Sequence, residues 1–356
     1  MMKTFRLFCW GLLLLSGLSC STEFDPTAEP RDIWVVYGVL TPDDTVQYVR
    51  ISKAFLPESD AFVYARENDQ SVPGLQVTLT EEGSNRVFEA TQVDSVLKTP
   101  EDGLFYPFTT LYKFSTIGAD RLDANTRYTL TVRQPGDETF ALTAETRIPE
   151  KMRITGPSFQ PGPGASQCLQ QVPLESDITV FFSNSEGAVS YEARAILDYT
   201  AGGSARQAVF GPTPLFVDDR GCRSSGSICY RFEAKTVLRS FLDQIDPQPN
   251  VAYRYGVTDE NRCRNNSENL PSVFRFEITA MDQHLTRYRQ AGASRLTESN
   301  TLATQYTNVE GSEDMLTLGI LGSHAIQNAK ARLTPCSEFL LGLNDTPRPP
   351  GTACEL

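Results

Sequence analysis

Short segments in which apolar and polar residues alternate, each closed by a turn, constrain this chain most. Leu75-Gln76-Val77-Thr78-Leu79-Thr80 puts Leu75, Val77 and Leu79 on one face, the period-two pattern of a half-buried strand. A Glu81-Glu82-Gly83-Ser84-Asn85 turn and the strand Val87 to Ala90 follow. Tyr128 to Val132 and Phe140 to Ala144 flank Gln134-Pro135-Gly136-Asp137, which predicts a hairpin. Val46 to Phe55 alternates too, with Val46, Tyr48, Arg50 and Ser52 on one face and Gln47, Val49, Ile51 and Lys53 on the other. Ile33 to Leu40 is nearly continuous in apolar residues, as expected of a strand buried on both sides. Short strands at this spacing predict an immunoglobulin-like β-sandwich over residues 32–150.

Residues 151–170 are rich in Pro and Gly and read as a linker to a second domain, 171–356. There Ile178 to Phe182 and Tyr191 to Tyr199 are strand-like, and Ala234 to Leu242 has apolar residues at helical spacing. Phe274 to Ala280 alternates as a core strand and runs into Met281 to Gln290, where Leu285 and Tyr288 share a helix face. The expected fold class is mainly β: an N-terminal sandwich, then a β-rich domain with two short helices.

The N-terminus bears on destination. A basic start with Lys3 and Arg6 precedes an apolar run from Leu7 to Leu18, shorter than the about 20 residues that a bilayer span needs. This is the layout of a secretory signal over residues 1–19. Gly17-Leu18-Ser19-Cys20 resembles the lipobox of bacterial lipoproteins, in which the cysteine is lipidated and becomes the first mature residue. The resemblance implies attachment to a membrane through a lipid on Cys20; plain secretion, with Cys20 an ordinary cysteine, is the alternative. Residues 20–31 carry Pro26 and Pro30 and read as a tether. Glu23 and Asp25 suit either an acidic surface-display signal or a solvated linker. Loss of Lys3 and Arg6 with the signal takes the formal net charge from −12 to −14. So acidic a chain argues against nucleic acid or an anionic membrane surface as partner.

Beyond Cys9 and Cys20, the cysteines are Cys168, Cys222, Cys229, Cys263, Cys336 and Cys354. An even number in an exported chain reads as a disulfide framework, with 15 possible pairings for six cysteines. Spacing points to Cys222 with Cys229 around a Gly/Ser-rich loop, and to Cys336 with Cys354 around the Pro-rich tail. A metal site is not expected, because no Cys-x-x-Cys or finger-like His spacing occurs.

Catalytic chemistry looks poorly supplied. The only histidines are His284 and His324, and no nucleophile elbow, zincin helix or phosphate loop occurs. Both histidines read as exposed structural residues. Asp43-Asp44, Glu81-Glu82 and Asp218-Asp219 lack the spacing of a calcium loop and read as solvated turns. No cofactor is expected. The aromatic cluster Phe105, Tyr106 and Phe108, with Tyr112 behind it, is either an exposed recognition loop or the start of a core strand.

Trp34-Val35-Val36-Tyr37-Gly38-Val39-Leu40 followed by Val49-Arg50-Ile51-Ser52-Lys53 resembles the opening of a Bacteroidota lipoprotein family, domain of unknown function number 4249. Its Pro-Gly-x-x-Val-x-Leu strand is similar to Pro73 to Leu79, and its Tyr-x-Leu-x-Val strand to Tyr128 to Val132. Phe274 to Tyr288, Tyr306 to Gly311 and Leu318 to Ser323 resemble its closing strand, helix and Gly-rich strand. The ending Ala353-Cys354-Glu355-Leu356 departs from the family's cysteine pair and final aromatic. The resemblance implies an outer-membrane lipoprotein without catalysis, an accessory to a TonB-dependent transporter in nutrient uptake. A structural or adhesive surface protein is the alternative, and an envelope hydrolase a more distant one. The ligand and the membrane face stay open.

Overall fold

The structure is a computed structural model that describes residues 33–54, 60–84, 86–98, 106–156, 171–216, 227–245, 251–256, 273–294, 306–312, 315–350 and 354. The signal, the tether and Cys20 lie outside these residues, as do Cys168, Cys222, Cys263, Phe105 and Asp218-Asp219. The fold is mainly β.

The chain opens with β1 (Ile33–Leu40) and β2 (Val46–Ala54), a short α1 (Ala61–Glu67), then β3 (Gln76–Glu81) and β4 (Val87–Glu89). Next come β5 (Thr91–Leu97), β6 (Phe108–Ser115), β7 (Arg127–Gln134), β8 (Asp137–Arg147) and β9 (Ile154–Gly156). β10 (Gln171–Val172), β11 (Ile178–Ser183), β12 (Ser190–Ala201), β13 (Ser204–Phe216) and β14 (Ser227–Phe232) follow, leading to α2 (Ala234–Ile245). The last elements are β15 (Tyr253–Arg254), β16 (Phe274–Met281), α3 (Gln283–Ser294), β17 (Val309–Gly311), β18 (Leu316–Leu333) and α4 (Pro335–Leu340).

A ten-stranded sheet runs in the order β13-β12-β16-β18-β1-β2-β6-β5, with β10 and β15 attached at its margin. Its axis is β18, 18 residues long. Residues 316–323 of β18 pair in parallel with β1, and residues 324–331 pair antiparallel with β16. Gly319 makes the first pairing possible. It lies opposite Val36 with φ +97°, where a Cβ would stand 1.9 Å from the Val36 carbonyl oxygen.

Two smaller sheets cover this one. The sheet β17-β8-β7-β3-β4 packs Val77, Leu79, Tyr128, Leu130, Phe140 and Leu142 against Trp34, Val36, Val49, Ile51, Tyr112 and Phe114. The sheet β14-β11-β9, with α2, closes a second core around Phe182, Tyr191, Phe232, Phe241, Phe274 and Phe276. The compact unit Ile33–Leu356 takes in both cores, and the first draws Val309 and Leu321 from the C-terminal part of the chain. Within the expected 151–170 linker, residues 154–156 are strand β9, paired with β11.

The expected alternations in β2, β3 and the β7–β8 hairpin are present with the inward residues named above. β1 differs. Its inner residues Trp34, Val36 and Leu40 are buried, but Tyr37 is 38% exposed on the outer face, where it meets Tyr288 of α3 and lines a cleft with Tyr306. Both expected helices, α2 and α3, form; α1 and α4 were unforeseen. They are only 7 and 6 residues long, too short for a helical period to stand out. Cys336 and Cys354 are disulfide-bonded. Cys229 is disulfide-bonded as well, and the Cys222–Cys229 expectation falls partly outside the described residues.

Candidate functional site

A cleft of about 690 Å³ opens where the β7–β8 hairpin, the start of α3 and the Asn308–Glu310 segment meet. Period-two geometry explains its wall: Arg127 and Thr129 of β7 and Thr143, Glu145 and Arg147 of β8 point outward while Tyr128, Leu130 and Ala144 fill the core. Arg127 pairs with Glu82 at 3.4 Å and Glu145 at 3.5 Å, and Arg147 with Glu186 at 2.8 Å. These side chains are solvated, and such pairs contribute about 0–1 kcal/mol. They hold the wall loosely enough to be exchanged for groups of a ligand.

Asn308 fixes the far side. Its Nδ2 donates to the carbonyls of Glu145 and Leu321, both at 2.8 Å, and its Oδ1 accepts from Leu321 N–H at 3.0 Å. The carboxamide thus stands in for a neighbouring strand along β18.

At the base, Asp282 caps α3: its Oδ1 accepts the Leu285 N–H at 2.8 Å. Its Oδ2 lies 2.7 Å from the Thr146 hydroxyl, which lies 2.8 Å from that of Ser323. Ser323 in turn donates to the Arg147 carbonyl at 2.8 Å. Thr146 donates to the Asp282 carboxyl, and burial raises the Asp282 pKa against the opposing pull of its hydrogen bonds.

His284, read from sequence as an exposed structural residue, faces this cleft half-buried. Burial holds its pKa down, with Asp282 opposing. A neutral ring that accepts the Gln283 amide at Nε2, 3.3 Å away, donates its Nδ1 proton to the Tyr306 hydroxyl 2.6 Å away. His324 is also half-buried, and burial lowers its pKa. The Asp282 carboxyl has both oxygens engaged, which is the arrangement of a helix cap. Among the described residues no three His, Cys, Asp or Glu side chains are grouped to hold a metal ion.

The aromatics singled out from sequence do not form one surface. Tyr112 is a core residue, 1% exposed; its hydroxyl accepts from Leu75 N–H at 3.0 Å and donates to the Val72 carbonyl at 2.7 Å. Tyr106 and Phe108 meet edge to face 6.2 Å apart, and Phe108 is 40% exposed. Glu81 and Asp43 are structural acids. Glu81 is buried and accepts from Arg86, Ser84 and Tyr128; burial opposes these bonds, yet they bring its pKa below the ordinary value. Asp43 pairs with Lys151 at 2.8 Å and accepts from Ile326 N–H at 2.8 Å. Thr146, Ser323 and Arg147 escape a sequence reading, since Thr146 is 136 positions from Asp282 and 177 from Ser323. Only the Asn308-x-x-Gly311 segment carried a signal, and it named no role.

No family model matches this chain, and no curated protein matches it.

Proposed function

We propose that this chain is a bacterial outer-membrane lipoprotein, tethered through a lipid on Cys20 and akin to the Bacteroidota family of unknown function number 4249. In this reading it binds a hydrophilic nutrient as a non-catalytic accessory to a TonB-dependent transporter. The observation that carries the binding step is the open cleft walled by Arg127, Glu145, Arg147 and Glu310, whose exposed ion pairs are weak enough to exchange for ligand groups. Residues 1–20 support the tether by their charge, apolar core and terminal cysteine.

The test is purification of the native protein from detergent-solubilised membranes, with mass spectrometry for acyl groups on Cys20 and for partners. An acylated Cys20 with a stoichiometric transporter barrel is the expected result. An acylated Cys20 without a barrel overturns the uptake role and leaves a structural or adhesive surface protein. An unmodified Cys20 overturns the tether.

A further inference from the structure

On the outer face of the large sheet, Tyr37 of β1 lies directly opposite Arg50 of β2. Tyr288 of α3 meets Tyr37 edge to face, with ring centroids 5.6 Å apart and planes at 66°. Tyr306 completes the set, held by its hydroxyl on His284 Nδ1 at 2.6 Å and by Arg287 over its ring at 5.8 Å. Between them Gly292 of α3 leaves space, for its Cβ position has no atom within 4 Å. The result is a cleft of about 210 Å³, lined by Tyr37, Arg50, Tyr288, Gly292, Tyr306 and Gly319.

Its size and chemistry narrow what fits. Pockets for drug-sized ligands span about 300–1,000 Å³, so this cleft takes a single ring with one substituent. Phenol rings favour stacked or edge-on contacts with a ring at centroid distances of about 4.5–7 Å. Arg50 has no carboxylate partner among the described residues, although the chain carries a net charge of −12. A guanidinium fork matches a carboxylate in shape as well as charge. Burial and the neighbouring Tyr288 raise the Tyr37 phenol pKa, with Arg289 and Arg50 opposing.

We propose that the Tyr37–Tyr288–Tyr306 cleft binds a six-membered ring bearing a carboxylate, with the ring between the tyrosines and the carboxylate on Arg50. Aromatic acids and sugar acids share this chemistry. The site is separate from the larger polar cleft and holds whether or not the protein serves a transporter.

The test uses the full chain purified in detergent, titrated with benzoate and with glucuronate and followed by saturation-transfer NMR and calorimetry. Benzyl alcohol and methyl glucoside are the neutral comparators. Arg50→Gln and Gly292→Leu sit at exposed positions, and unchanged circular dichroism and Tm establish that both fold. At least one acid is expected to bind, its neutral comparator about tenfold or more weakly, with Arg50→Gln losing about tenfold and Gly292→Leu losing binding. Benzoate alone identifies an aromatic acid, glucuronate alone a sugar acid, and both the shared class. No binding of either acid, full affinity in Arg50→Gln, or a comparator that binds as tightly overturns the proposal.

Discussion

Asp282 is 2% exposed, yet it is an acid lining the larger cleft. Its folded pKa is raised. The stability this brings is therefore full below the unfolded pKa of about 3.9 and is lost as pH rises through the folded value. Asparagine keeps the Oδ1 acceptor for the Leu285 N–H and puts no charge in this buried position. Asp282→Asn is accordingly expected to stabilise the protein at pH 8 by about 1 kcal/mol and to leave it unchanged near pH 4. Urea midpoints at the two pH values check this; a loss of stability at pH 8 would show that the carboxylate form is the native one. In the sequence Asp282 falls within the helical segment Met281 to Gln290, with nothing to mark it as a cap. Its links to Thr146 and, through it, to Ser323 join residues that no local pattern brings together.

Among the described residues, four carboxamides do the work of missing strands. Gln47 spans the Thr41 N–H and carbonyl, Gln244 those of Val209, Asn344 those of Tyr255 and Asn308 those of Leu321. Each makes both bonds that a neighbouring backbone would make, and at Val209 this also occupies an open sheet edge. The environments differ, and so do the expected costs. Leu321 is 0% exposed, so Asn308→Ala strands a buried N–H and carbonyl and is expected to cost about 2–4 kcal/mol. Val209 is bonded at an exposed site, where water replaces the amide, and Gln244→Ala is expected to cost about 0.5 kcal/mol. Equal losses for the two variants in chemical denaturation would refute the assignment. Alternation in the sequence marks strands such as β3 and β7 because each needs one buried face. It does not mark these amides, since a polar residue on an edge reads as an ordinary solvated side chain. The near-continuous apolar run of β1 misled in the opposite direction: Tyr37 and its neighbours line an open cleft.

Across the molecule, β18 gives Leu321 to one core and Ala331 and Leu333 to the other. Trp34 lies in the first core, and a protein produced without residues 1–19 has no other tryptophan, because Trp10 falls within them. Phe276 lies in the second core, its ring 4.9 Å from those of Phe232 and Phe274. Phe276→Ala is expected to cost about 3–5 kcal/mol and to move the Trp34 fluorescence midpoint together with the circular dichroism midpoint. A Trp34 transition left in place by the variant would show that the two cores unfold separately. Strands β1 to β4, β7, β8, β11, β12 and β16, both longer helices and the Cys336–Cys354 bond were open to a reading of residues in order. The pairing of β1 with β18 was not, for a parallel contact between residues 33 and 316 leaves no turn between its partners to betray it.

That pairing sets an order of events at the ribosome. β1 is among the first strands to be made, and the strand that completes its hydrogen bonding is among the last. Until residues 316–323 arrive, Trp34, Val36 and Leu40 belong to a strand with one bare edge, the kind of surface that recruits unwanted neighbours. Long-range closure of this sort is also slow. The β1 edge is therefore closed only after residues 316–323 have been made.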